Sequence, residues 1–161
     1  MNLPESDFQI LRLSNLFYKA YARPEYKEIM LKQGRAYNCL LFQTHYNYFI
    51  CIPYRSEITH DNAYLFRNSK RARKHKSGLD YSKIVIISNA DYLETEDALI
   101  DKDEFNETIK NLNRIKREAL KFVEDYVNHM NGKNKLHPAD FKRRYQFTTL
   151  KYFHNKLGVN E

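Results

Sequence analysis

The chain has no tryptophan, and its 161 residues include only two cysteines, four glycines, four prolines and three methionines. The cysteines, Cys39 and Cys51, lie on segments that read as paired strands. Without a secretion signal they are expected as buried thiols rather than a disulfide, and two thiols alone make no zinc site. No apolar run approaches the ~20 residues of a membrane-spanning helix. Met1 to Asp7 is acidic and polar and lacks the regions of a signal peptide, so a cytoplasmic location is expected. No HExxH, P-loop, cysteine-rich cluster or GxSxG elbow occurs. The acidic residues Asp91, Glu94, Glu96, Asp97, Asp101, Asp103 and Glu104 read as a solvated edge leading into a helix rather than a Mg²⁺ site. No metal or cofactor is expected. With no repeat and no low-complexity linker, residues 1–161 are expected to form a single domain.

What the chain has in quantity is positive charge and tyrosine. Lys and Arg number 27 against 20 Asp and Glu, a net charge of +7. That excess favours a polyanionic partner, nucleic acid first, and says nothing about fold. There are 13 Tyr and 10 Phe, many beside cations, as in Tyr18-Lys19, Arg35-Ala36-Tyr37 and Arg144-Tyr145. Aromatics next to cations suit unpaired bases and phosphates, although most single tyrosines are read as core-edge residues with a wet hydroxyl.

Asp7 to Leu13 reads as a strand, and Ser14 caps a short helix from Asn15 to Ala22 that Pro24 stops. Glu25 to Gln33 is a short helical or irregular stretch ending at Gly34. Ala36 to Thr44 and Tyr48 to Tyr54 read as a hairpin. Ala63 to Phe66 is a short strand, the basic run after it a loop closed by Gly78, and Lys83 to Ser88 a central strand. One more strand is expected near Ala98 to Ile100. A long helix follows, from about Lys102 to Asn131, with the stripe Phe105, Ile109, Leu112, Ile115, Ala119, Phe122, Tyr126 and Met130. Pro138 and Thr148 or Thr149 open two short helices. Strands early and helices late predict an α+β fold, a compact antiparallel sheet or barrel packed by C-terminal helices.

The segment from Pro53 to Ile87 concentrates the chemistry. Cleaving RNA without a metal needs a base for the 2′-OH, a donor for the leaving oxygen, a cation for the phosphorane charge and anchors for flanking phosphates. Arg55 suits a phosphate clamp, Ser56 a donor to a non-bridging oxygen, and His60 a proton shuttle. Lys70, Arg71, Arg73, Lys74 and Lys76 are candidate anchors for flanking phosphates, and Tyr37, Lys83, Arg143 and Arg144 are further candidate RNA contacts. Each has a plainer reading: a surface cation, a turn serine, a loop histidine beside Asp61, a solvated basic loop.

Several runs in order carry a resemblance. They are Gly34-Arg35-Ala36-Tyr37 into an apolar strand, the hairpin to Ile52-Pro53-Tyr54-Arg55-Ser56, the Lys/Arg-rich segment, and Ile84 to Ile87. Together they resemble the ToxN/AbiQ family, the endoribonuclease toxins of type III toxin–antitoxin systems. Arg55 to His60, Lys74 to Lys83, Phe141 to Tyr145 and Leu150 to Phe153 look closest to its CptN branch. The resemblance implies a bent antiparallel sheet like that of MazF and CcdB toxins, with added helices. It implies metal-independent, sequence-selective RNA cleavage leaving 2′,3′-cyclic phosphate and 5′-OH ends. The implied inhibitor is a small structured RNA, processed by the toxin from a repeat array and bound in a closed heteromeric assembly. Growth arrest and phage defence by abortive infection are the implied roles. The family pattern has Lys where Arg35 stands, Thr-Ser at Arg55-Ser56, and Lys near Ile58 to His60. Ser56 and Arg35 therefore join Arg55 and His60 as candidate catalytic residues. A non-catalytic RNA-binding protein, a ribosome- or DNA-associated module and a gyrase poison are the rival readings.

Overall fold

The computed structural model describes residues 8–31 and 36–160. The apolar runs of the N-terminal half form strands β1 (Phe8–Arg12), β2 (Asn38–Gln43) and β3 (Phe49–Arg55), joined in antiparallel register. The expected hairpin is present, and the Thr44 hydroxyl closes its turn by donating to the Tyr48 carbonyl at 2.7 Å. Three shorter strands complete an antiparallel six-stranded sheet: β4 (Ala63–Leu65), β5 (Gly78–Asp80) and β6 (Val85–Ile87), in the order β1-β2-β3-β5-β4 with β6 also on β3. The fold is α+β. The sheet is open: among the described residues β1 and β4 end the order and do not pair, so of the two expected forms, sheet or barrel, it is the sheet.

β3 is the hub. One edge pairs with β2 from Phe49 to Pro53; the other is shared, β6 taking Phe49 to Cys51 and β5 taking Tyr54 and Arg55. Pro53 lies in the gap between the two, where its missing N–H forfeits no bond on that edge. β6, expected as the central strand, has β3 as its one strand neighbour among the described residues. Its continuous apolar run reflects burial beneath the C-terminal turn, where the Thr149 hydroxyl donates to the Ile84 carbonyl. Gly78 is required by close approach, since a Cβ there would stand 1.9 Å from the Tyr64 carbonyl oxygen across the β4–β5 pair.

Three other expectations are corrected. The basic run is not a loop. Ser69, wholly buried, caps helix α2 (Lys70–Lys74) by accepting from Ala72 N at 3.0 Å, and its Lys, Arg and Ala are strong helix formers. No strand forms near Ala98 to Ile100. There, Ala98 N and Glu94 N each donate one bond to β1, at 2.8 and 2.9 Å, and Leu99 is 92% exposed. The long helix breaks at Asn111 into α3 (Lys102–Lys110) and α4 (Leu112–Met130). α3 turns Glu104, Glu107 and Thr108 inward and leaves Phe105 and Ile109 to solvent. The carboxylates decide this. Glu107 accepts from Tyr64 Oη, Arg67 N and Asn68 N, while Glu104 accepts from Nε and Nη2 of Arg71. α4 keeps its stripe, burying Ile115, Ala119, Phe122 and Tyr126, although Met130 is exposed.

Helix α1 (Asn15–Ala20) is capped by Ser14 as expected, and α5 (Pro138–Tyr145) opens at Pro138. A 3-10 turn (Thr149–Tyr152) leads to α6 (His154–Leu157), stopped by Gly158 at φ 72. Cys39 and Cys51 are buried free thiols on β2 and β3. No helix among the described residues is long and apolar enough to cross a membrane.

Candidate nucleic-acid site

The organising group is one that sequence reasoning passed over. Asp80 ends β5 and caps the 3-10 turn Tyr81–Lys83, accepting from Ser82 N at 2.9 Å. The same wholly buried carboxylate accepts from Ser82 Oγ at 2.6 Å, from Arg55 Nη1 at 2.7 Å, and from His60 Nε2 at 3.2 Å (Oδ1) and 3.3 Å (Oδ2). Burial is the largest single influence on this group and pushes its pKa up. The bonds from His60, Ser82 and Arg55 outweigh it and hold the carboxyl below its usual range. Asp80 is thus a fixed anion that orients Arg55 and His60. The local signal was Asp80-x-Ser82 ahead of an apolar strand, a side-chain-capped turn.

His60 is held at both nitrogens. Asn62 N–H donates to Nδ1 at 3.1 Å, so the neutral ring carries its proton on Nε2, facing Asp80 and, at 3.3 Å, Ser82 Oγ. Proton transfer to substrate at this ring requires it to leave one of these partners.

Three clefts meet at Arg55. The largest, about 700 Å³, contains Tyr37, Ser56 and Arg71 in its wall. Four carboxylates line it, Glu57, Glu94, Asp101 and Glu104, against Arg12, Arg55 and Arg71. Arg71–Glu104 and Arg12–Glu94 are already paired, at 2.9 and 3.4 Å. It is a poor bed for phosphates. The second cleft, about 230 Å³, is lined by Arg23, Lys27, Tyr37, Arg55 and Lys83, with Glu28 the single carboxylate among the described residues. The third, about 310 Å³, is lined by Arg55, Thr59, His60, Asn62, Ser82, Lys83, Arg143, Arg144 and Phe147, with no acid among the described residues.

The candidate residues therefore separate. Arg55, His60, Lys83, Arg143 and Arg144 share the third cleft; Ser56 opens on the first, across Arg55, and Ser82 stands where a hydroxyl beside His60 was expected. Tyr37 borders the first two clefts. Lys83 Nζ is pinned by Glu28 at 3.1 Å and the Phe147 carbonyl at 2.9 Å. Arg143 and Arg144 pair with Asp140 and Asp125. On α2, Arg71 is tied to Glu104, while Lys70, Arg73, Lys74 and Lys76 are exposed and line none of these three clefts. Arg35 lies outside the described residues. No group of three or more His, Cys, Asp or Glu side chains among the described residues is placed to hold a metal ion. Comparison with protein-family models, curated proteins and solved structures finds no match to this chain.

Proposed function

We propose that the protein is an endoribonuclease toxin of the type III toxin–antitoxin class that its sequence resembles, acting by its own side chains. The observation that carries this reading is the acid-free cleft, in which four cations surround a histidine and a buried serine. Phosphate contacts supply most of the affinity for nucleic acid, and like charges in one cleft focus it there. Arg55, oriented by Asp80, clamps the scissile phosphate and Lys83 offsets its developing charge. The 2′-hydroxyl loses its proton and attacks phosphorus. The new P–O2′ bond replaces the P–O5′ bond, and the departing 5′-oxygen takes up a proton, leaving a 2′,3′-cyclic phosphate and a 5′-OH. His60 moves a proton in this sequence once substrate displaces it from Asp80; such contacts often rearrange only in the substrate complex. The inhibitor and processing substrate is a small structured RNA held in a closed assembly, and the open sheet is a variant of the MazF/CcdB-like bent sheet.

Natively purified protein is expected to carry one discrete RNA of a few tens of nucleotides with a cyclic-phosphate end. Arg55→Ala and His60→Ala are each expected to lower cleavage about 10²- to 10⁴-fold. Ser82→Ala should lower it more than Ser56→Ala, because Ser82 shares the cleft with His60. Wild-type cleavage by both Arg55→Ala and His60→Ala at equal protein level refutes the reading.

One observation favours the rival, a non-catalytic RNA-binding protein: both His60 nitrogens are engaged internally. That reading expects binding without cyclic-phosphate products, lost with Arg55→Ala and retained with Ser82→Ala.

A further inference from the structure

Phe147 is a large aromatic left 59% exposed at the rim of the third cleft. Its position is fixed from the backbone. Its carbonyl accepts from Lys83 Nζ at 2.9 Å, and the bonds Gln146 N to Lys142 O and Thr148 N to Tyr145 O hold the turn on either side. A largely exposed phenyl ring is thus anchored through its backbone in a cleft that Lys83, Arg143 and Arg144 line together with the neutral polar side chains Thr59 and Asn62. An exposed apolar group among cations serves poorly as a protein-docking patch, which wants charge depleted at its centre. It suits an unstacked base, whose π-face needs an aromatic platform and whose phosphates need cations.

We propose that this cleft is the subsite for a single unpaired nucleotide flanking the scissile phosphate, with the base stacked on Phe147. Its volume of about 310 Å³ is at the small end of ligand pockets, a scale that matches one nucleotide. Thr59 and Asn62 supply the neutral polar groups of the lining that bias which base is accepted, Asn62 through its carbonyl oxygen, because its amide donates to the Arg144 carbonyl at 3.2 Å. The strand leaves over the ridge of Arg55 and Lys83, which this cleft shares with the Arg23–Lys27 cleft. This inference rests on the ribonuclease reading and gives it a base-selecting element.

The test uses a short single-stranded RNA with a 2′-O-methyl group at the scissile position and 2-aminopurine as the reporter base. Wild-type protein should bind it with quenched fluorescence. Phe147→Ala should bind roughly 5- to 150-fold more weakly, the range for removing one aromatic platform, and lose the quench. It should also raise KM more than it lowers kcat on cleavable RNA, with relaxed base preference beside the cut. Phe147→Tyr should stay near wild type. Ultraviolet crosslinking of 4-thiouridine RNA to the wild-type chain, which needs no variant to fold, should mark the peptide spanning 141–150. Unchanged binding, quench and base preference in Phe147→Ala, or crosslinks confined to other peptides, while wild-type protein still cleaves, overturns this inference alone. Wild-type protein that neither binds nor cleaves RNA overturns both readings.

Discussion

Asp80→Asn removes one charge at nearly constant shape, and its effect follows from the four donors around that carboxylate. An amide keeps one acceptor oxygen and replaces the other with a donor. With the oxygen left toward Ser82, the new NH₂ group meets Arg55 Nη1 and His60 Nε2–H, two donors that had shared Oδ2 at 2.7 and 3.3 Å. The charge-assisted bond from Arg55 is worth about 1.5–3 kcal/mol and the His60 bond about 1 kcal/mol. Arg55 is 33% exposed, so water re-solvates it and reduces the first figure. A loss of about 2–3 kcal/mol at neutral pH is expected. The folded carboxyl titrates below its unfolded value of about 3.9. The stabilisation from its charged form is therefore fully present above the unfolded pKa and is lost as pH falls through the folded one. Urea unfolding of both proteins at about pH 7, 5 and 3 should show a constant gap over the first two and a smaller one at the third. A gap that stays the same at the acid end, or one under about 0.5 kcal/mol at neutral pH, refutes the assigned role of Asp80.

Two further substitutions probe the frame. Gly78→Ala drives a Cβ against the Tyr64 carbonyl and should cost about 3 kcal/mol or more, seen as a lower urea midpoint; an unchanged midpoint means that β4 and β5 are not packed this closely. Glu107→Gln leaves a donor facing Tyr64 Oη or the Arg67 and Asn68 amides and should cost about 1–3 kcal/mol. The Tyr64 phenol is pushed up to about 12, by burial first and by Glu107 second, so the same variant should bring its ultraviolet titration nearer the ordinary value; no change there removes Glu107 as a cause.

The strands were legible because their signal is local. Alternation and apolar runs place β1, β2, β3 and β6 within a few residues, Ser14 and Pro138 mark helix starts, and Cys39 and Cys51 are the buried thiols expected. The misread elements are those whose form depends on a distant partner. The stripe Phe105, Ile109, Leu112 continues smoothly into α4, and nothing local says that Arg71, Tyr64 and two backbone amides will draw Glu104 and Glu107 inward and break the helix at Asn111. α2 likewise depends on a serine cap that a run of cations conceals.

The candidate site follows the same division. The basic run from Arg67 to Lys76 holds the densest charge in the sequence. In the fold its Arg71 is spent on Glu104, and most of its other cations point to solvent away from the clefts. Arg55, Lys83, Arg143 and Arg144 lie up to 89 residues apart in the chain, yet they meet at one cleft because β3, the 3-10 turn after β5, and α5 end beside one another. Each of them also has an acidic partner, Asp80, Glu28, Asp140 or Asp125, and none of those partners lines the cleft itself. Asp80, Glu28 and Asp125 hold Arg55, Lys83 and Arg144, which are at most one-third exposed, while Arg143, 72% exposed beside Asp140, is the loosest of the four. A polyanion is then met by charges whose side-chain entropy is already spent, which favours affinity more than a mobile basic segment of equal charge. By that argument, neutralising Arg143 and Arg144 together should weaken RNA binding more than neutralising Lys74 and Lys76. Filter-binding titrations at two salt concentrations decide it, because both pairs change the net charge equally and only their placement differs. A larger loss from the Lys74 and Lys76 pair would move the RNA path to α2 and away from the Asp80 cluster.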